Sequence, residues 1–308
     1  PLSATVHAPD RLVWRRASLP WPLSLVRSWP SPWPQAATVL ADPLCLYEER
    51  HLASNLNALV TLTKTGRNCL VRRMRLPASK VHVIAHGNQA VQLSPLPPLE
   101  PLRLLYFGFI YRGKGIEDLL DALALVVRRK PQLLPRVSLT LAGGSAPDMA
   151  FEPGGSYLDQ LRRRIVEQGL ESLIEWRLDL PAEDIAAQIQ AHHVMVLPYR
   201  ESRKLRLLGE QRGTSGALSW AAACGRGVVT SDARAFAEEV ATGNGAIYPQ
   251  GDVSALANEL ERLLEAPERC LQWAERAEQI GRERLWPLTA QRFKALFSSL
   301  CEGRDHAK

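Results

Sequence analysis

From residue 102 onward, apolar residues fall into short near-continuous runs separated by longer stretches where they recur every three or four positions. The runs are residues 103–107, 137–142, 173–178, 194–197, 227–230 and 245–248. The periodic stretches are 116–129, 157–168 (closed by Gly169), 182–191, 214–224, 254–265 and 267–284. Near-continuous apolar strands alternating with helices predict a parallel, doubly wound sheet. The first hundred residues carry a weaker version of the same pattern. Strand-like segments are expected at 5–7, 58–62 and 80–84, and helices at 44–56 and 67–75. A proline-rich stretch, SPLPPLEP at 94–101, reads as a linker. The expected organisation is a partial amino-terminal Rossmann-like domain (1–95), a Rossmann-like domain (96–285), and a C-terminal helix and tail (286–308). No repeat of solenoid period is present.

Composition narrows the class. The 308 residues are 46% hydrophobic and 23% charged, ordinary for a globular chain and too apolar for intrinsic disorder. No run of about 18 apolar residues lacks charges, so the sequence predicts no membrane-spanning helix. No secretory signal pattern opens the chain, which starts at Pro1. Cysteines stand at 45, 69, 224, 270 and 301, with no CxxC, which excludes a zinc knuckle and predicts reduced, mostly buried thiols in a cytoplasmic protein. Residues 1–34 hold seven prolines and four tryptophans, so no long helix is expected there. The net charge of +6 is uneven: residues 1–99 hold 11 Lys/Arg against 4 Asp/Glu, and residues 100–308 hold 27 against 28. A basic first third attracts phosphates or anionic lipid, which would place the protein peripherally on the inner face of a membrane, or it is simply a solvated face. No helix-turn-helix, RRM or zinc pattern accompanies it, so no nucleic-acid partner is expected.

In doubly wound sheets, ligands bind in the loops at the carboxyl ends of the strands. Three loops therefore matter. The first, 108–115, reads GFIYRGKG: Gly108 ends a strand, Arg112 and Lys114 are cationic, and a helix starts at once. Free N–H groups at a helix start favour a phosphate, though a solvated basic loop would read alike, and GxxxxGK[ST] is absent. The second, 143–156, is long and glycine-rich. The third, 198–216, carries Pro198, Tyr199, Arg200, a basic insertion at 201–213, and Gly213-Thr214-Ser215-Gly216 before a helix of small residues. Thr214 or Ser215 suits an N-cap there.

Taken in order, His86-Gly87 after an apolar strand, YFGFIYRGKGIEDLLDAL, LTLAGG, AAQIQAHHVMVLPYR and GTSGALSWAAACGRGVVTSDARAFAEEVATGNG resemble the nucleotide-sugar-binding domain of GT-B glycosyltransferases of family 4. The resemblance covers about residues 56–285. It implies an α/β GT-B fold of two Rossmann-like domains with parallel sheets, the amino-terminal one incomplete. It also implies a retaining transferase that moves a hexose from a nucleoside-diphosphate sugar to a saccharide or lipid-linked acceptor, in bacterial surface polysaccharide or glycolipid synthesis.

For the residues, the resemblance implies diphosphate contacts from Gly108, Arg112, Lys114, Thr214, Ser215 and Gly216. Lys114 and His7, the latter at a strand end near the transferred sugar, would be catalytic. Tyr199, Glu210 and Glu239 would serve the donor sugar or ribose. No metal and no cofactor is expected beyond the nucleotide sugar as co-substrate. The family's paired glutamates are replaced by Arg212 and Trp220, and about half of the amino-terminal domain is missing, through truncation, trimming or supply by a second polypeptide. Those departures keep open a non-catalytic nucleotide- or partner-binding remnant. An epimerase of the same architecture is disfavoured by the scarcity of carboxylates at 210–220. His192 and His193 read as structural.

Overall fold

The computed structural model describes residues 3–6, 25–26, 29–30, 33, 52–144, 157–201 and 213–305. The chain divides into two compact units. The first comprises Pro1–Ala85, Ser202–Thr214 and Thr289–Lys308; the second comprises His86–Glu201 and Ser215–Leu288.

In the first unit, β1 (Ser3–Val6), β2 (Ala58–Thr61) and β3 (Val81–Val83) form a parallel sheet in that order. Strand β2 lies between two neighbours, and all four of its residues are buried. Successive side chains of a strand point to opposite faces. Leu59 accordingly joins Leu70, Met74 and Val81, while Val60 joins Ile84 and Leu296. Helix α1 (Lys64–Met74) begins where the Thr63 hydroxyl accepts the Gly66 N–H at 2.9 Å. The predicted helix at 44–56 falls largely outside the described residues.

The second unit holds β4 (Leu102–Phe107), α2 (Ile116–Arg129), β5 (Val137–Gly143), α3 (Tyr157–Glu167), β6 (Ile174–Leu178), α4 (Ile185–Gln190), β7 (Val194–Leu197), α5 (Gly216–Ala223), β8 (Gly227–Ser231), α6 (Phe236–Val240), β9 (Gly245–Tyr248), α7 (Val253–Glu265) and α8 (Arg269–Glu283). The last helix, α9 (Trp286–Asp305), starts here. All six strands run parallel in the order β6-β5-β4-β7-β8-β9. The chain order reverses between β4 and β7, the switch point where such sheets open a crevice. Both central strands are almost wholly apolar (LRLLYF and VMVL), as befits strands covered by helices on both faces. Helix α2 buries Ile116, Leu119, Leu120, Leu123 and Val126, and packs on α7. Its first turn holds Glu117 and Asp118 and its last Arg128 and Arg129, the arrangement that suits the helix dipole.

The proline-rich stretch is more than a connector. His86 onward already belongs to the second unit, and residues 94–98 are strapped to it. The buried Arg226 guanidinium donates to the carbonyls of Ser94, Pro95, Gln190, His192, Cys224 and Gly225 at 2.7–3.2 Å. His193 bonds the Pro97 and Pro98 carbonyls and accepts from the Arg103 N–H. Prolines offer no N–H, so their free carbonyls need an external donor; sequence composition records the prolines and not the clamp. At the other end, the C-terminal helix α9 begins at Trp286, and its residues from Thr289 group with the first unit.

Arg226→Leu would strand six carbonyls, each a partly compensated loss. The expected cost is about 3 kcal/mol or more, read as a lower urea midpoint with an unchanged slope. An unaltered midpoint would show that water replaces the clamp.

Candidate functional site

The loop after β4 and the loop after β7 meet at the switch point, and glycine makes their approach possible. A Cβ on Gly115 would stand 1.7 Å from the Pro198 carbonyl oxygen, and Gly115 has φ +67°. A Cβ on Gly143 would stand 1.9 Å from the Gly108 carbonyl oxygen. Only glycine tolerates both demands. The loops are then locked: the Arg200 N–H donates to Gly113 O at 3.0 Å, and the Arg200 guanidinium grips both carboxylate oxygens of buried Asp118. Burial pushes the Asp118 pKa up, and Arg200 opposes that shift.

This frame places Lys114. Its side chain is 9% exposed, and its ammonium lies 3.7 Å from the centre of the Tyr199 ring and 5.1 Å from that of Tyr111. Among the described residues it makes no ion pair. Burial lowers its pKa from 10.5 to about 8; Tyr111 pulls it up and the nearby Arg234 pushes it further down. Arg234 itself lies over Tyr199 at 5.3 Å, held in a left-handed conformation (φ +58°) after β8, with its N–H on the Glu201 carboxylate. Two cations thus share one aromatic ring.

Tyr199 connects them to α5. Its hydroxyl meets the Ser215 Oγ at 3.1 Å. Ser215 is the N-cap residue of α5, yet its side chain does not cap. The Ser215 hydroxyl thus leaves the start of the helix, at exposed Gly216, without its usual cap, and a helix start attracts anions. Gly108 lies beside the same hydroxyl, 3.7 Å from where its Cβ would be. The arrangement can hold a phosphate or diphosphate against two fixed cations and a helix terminus.

Of the residues singled out from sequence, the structure therefore brings Gly108, Lys114, Tyr199, Ser215 and Gly216 together, with Thr214 directly preceding Ser215. Tyr199 plays a different part from the sugar contact expected of it: it is 2% exposed and serves as the platform beneath the cations. Arg112 turns toward α3, donating to Gln160 at 2.5 Å and stacking over Tyr157. Arg234 takes the second cationic place instead. Its sequence signal is only a basic residue just beyond a strand end. Glu239 is buried and its carboxylate pairs with Arg284 at 2.8 Å, so it holds a neighbouring segment in place. His7 and Glu210 lie outside the described residues, as do 145–156 and 202–212. His192 and His193 are both engaged in the core, through Thr140 and Gln188 for the first and the strap for the second. Among the described residues, no group of three His, Cys, Asp or Glu side chains could hold a metal ion, and no helix is long and apolar enough to cross a membrane.

Residues 101–266, which include every residue of this site, match the family described as glycosyl transferases group 1. The chain belongs to that family. It is 26% identical over 277 residues to the D-inositol 3-phosphate glycosyltransferase of Frankia alni, covering 80% of this chain and 63% of that one. It is 24% identical over 251 residues to the alpha-D-kanosaminyltransferase of Streptomyces kanamyceticus, covering 77% and 59%. The chain thus spans less than two thirds of the length of these glycosyltransferases. Its fold is that of sucrose-phosphate synthase from Thermosynechococcus elongatus (TM-score 0.71, 20% identity, 98% of this chain and 68% of that one). It is also that of HepE from Anabaena, solved in complex with UDP (TM-score 0.65, 17% identity, 97% and 72%). The fold class is therefore GT-B, with parallel sheets in both units, as the alternation of strands and helices predicts.

The buried Lys114 charge carries a stability cost. Its folded pKa is depressed, so the folded chain binds fewer protons than the unfolded one between about 8 and 10.5. Stability of the ligand-free chain should rise with pH across that window. The full shift is worth about 3 kcal/mol, and ring contacts return about 0.5–2. Lys114→Met should therefore stabilise the ligand-free chain at pH 7 by about 1–2 kcal/mol, with the gain vanishing near pH 10.5. Denaturant titrations at pH 7 and pH 10.5 check this; a destabilised variant at pH 7 would show the charge already balanced.

Proposed function

We propose that this chain is the donor-binding portion of a retaining glycosyltransferase. It transfers a hexose from a nucleoside-diphosphate sugar to a saccharide or lipid-linked acceptor, without a metal ion. The observation that carries this reading is the buried Lys114, with no ion pair among the described residues, beside Arg234 and near the start of α5, which the Ser215 side chain does not cap. Glycosyl transfer breaks the bond between the anomeric carbon and a phosphate oxygen, leaving negative charge on the diphosphate. Fixed cations and helix-terminal N–H groups stabilise that charge without reorganising. The acceptor hydroxyl attacks from the same face, and its proton passes to the departing phosphate oxygen. Atoms balance with no further reactant, and the anomeric configuration is kept. Two positive side chains do for the leaving group what a divalent cation does in other active sites.

The family match and the glycosyltransferase names of the relatives support the reaction class. The UDP in the HepE structure supports a nucleoside diphosphate as the leaving group. The basic balance of residues 1–99 supports approach to an anionic membrane surface from the cytoplasmic side, where lipid-linked acceptors for surface polysaccharide are presented. A second reading, a nucleotide- or partner-binding remnant without turnover, is favoured by one observation: Arg212 and Trp220 stand where carboxylates are expected.

Transfer from radiolabelled UDP-, GDP- and ADP-hexoses to a lipid and saccharide extract separates the two. Turnover that falls about 10²–10³-fold in Lys114→Ala, the loss typical for one transition-state donor, is expected, with a smaller loss in Arg234→Ala. Nucleotide binding without transfer would favour the remnant.

A further inference from the structure

Two features near Lys114 work against an ammonium and would work for an anion in its place. One is Arg234, which shares the Tyr199 ring with it. The other is the start of α5, left without a side-chain cap because the Ser215 hydroxyl turns to Tyr199. A neighbouring cation and a helix start both favour negative charge over positive. Burial adds to the effect: Lys114 is 9% exposed, and among the described residues no carboxylate pairs with it. Asp118, the buried carboxylate of this frame, is taken up by Arg200. Only the faces of Tyr111 and Tyr199 favour the ammonium.

A desolvated lysine beside a second cation is the setting in which an amine becomes a nucleophile. With its pKa lowered to about 8, about one Lys114 in ten is neutral at pH 7, against about one in three thousand for an ordinary lysine. Carbon dioxide is the electrophile that suits this amine. It is small and uncharged, so burial does not bar it. The nitrogen lone pair attacks the carbon, one C–O π pair moves to oxygen, and a proton leaves the nitrogen for water. Amine and carbon dioxide thus give a carbamate and a proton, with no other reactant. The product is a planar anion of carboxylate shape, which a guanidinium binds well. It adds fewer atoms than one phosphate group contains, so a site with room for a diphosphate has room for it.

We propose that Lys114 is a carbamylation site, where carbon dioxide adds to the side-chain amine and the carbamate, held by Arg234 and the start of α5, takes the place of the diphosphate. The modification turns the central cation of the site into an anion. Carbamylation and nucleotide binding therefore exclude one another, and dissolved carbon dioxide acts as a reversible brake. The room for the adduct and this exclusion rest on the diphosphate reading above, while the reactivity of the amine does not.

The test uses the full chain, shown by circular dichroism to be folded, equilibrated at pH 8 with carbon-13 bicarbonate. Triethyloxonium traps carbamates as esters, and mass spectrometry of the peptides locates them. Binding of UDP, GDP and ADP is measured in parallel by calorimetry, with and without bicarbonate at constant ionic strength. The expected result is more labelled ester on Lys114 than on any other lysine, less of it in Arg234→Gln, and none at saturating nucleotide. A chain half carbamylated should show about twice the apparent Kd for the nucleotide. Lys114→Arg, which keeps a cation but not a carbamylating amine, should lose the bicarbonate effect. Label on Lys114 no greater than on exposed lysines overturns the proposal. Weaker nucleotide binding in bicarbonate without label on Lys114 is competition by the bicarbonate ion itself, and overturns it equally. Nucleotide binding with no label leaves the transferase reading intact. Label on Lys114 without any nucleotide binding does the reverse, and silence in both experiments overturns both.

Discussion

A lysine ammonium removed from water, with no carboxylate paired to it among the described residues, is the constraint on which the second unit turns. Lys114 is 9% exposed and rests on aromatic faces. Burial depresses its pKa to about 8, which leaves it charged at neutral pH at a real energetic cost. Aromatic faces offset only part of that cost. An anion offsets far more, because opposite charges attract strongly where water is scarce. The folded chain therefore holds stability in reserve that a bound anion would recover.

Much of the surrounding structure exists to hold that charge in place. The parallel sheet reverses its order between β4 and β7 and so opens a crevice. Gly115 and Gly143 let backbones approach at distances any Cβ would forbid. The Arg200–Asp118 pair ties the first turn of α2 to the loop after β7. Tyr199 sits beneath two cations and draws the Ser215 hydroxyl away from capping α5. The same residue thus collects positive charge and holds the hydroxyl that would otherwise cap the helix.

Apolar runs and helical periods suffice to place the sheet. The bounds of α2, β7 and β9 can be read directly from the pattern, because Gly115, Pro198 and the glycines around β9 punctuate it. The stretch 182–191 is less legible. Its first turn is a 3-10 turn after Pro181, and the α-helix proper begins at Ile185. At the site, Lys114 and Ser215 are legible because a basic residue and a small hydroxyl residue stand directly before helices. Arg234 is not, since its role depends on β8 lying next to β7 and on a left-handed backbone that sequence does not display. Arg112 misleads for a related reason: only the fold shows that Tyr157 and Gln160 draw it toward α3.

The most direct measurement is calorimetric titration of the chain with UDP, GDP and ADP at pH 7, alongside Lys114→Ala. Saturable binding of at least one nucleoside diphosphate, lost or weakened by two orders of magnitude or more in the variant, is the result predicted for a charge-assisted buried contact. Equal affinity in the two proteins, or no binding to a chain shown by circular dichroism to be folded, would contradict the assignment of Lys114 to a diphosphate.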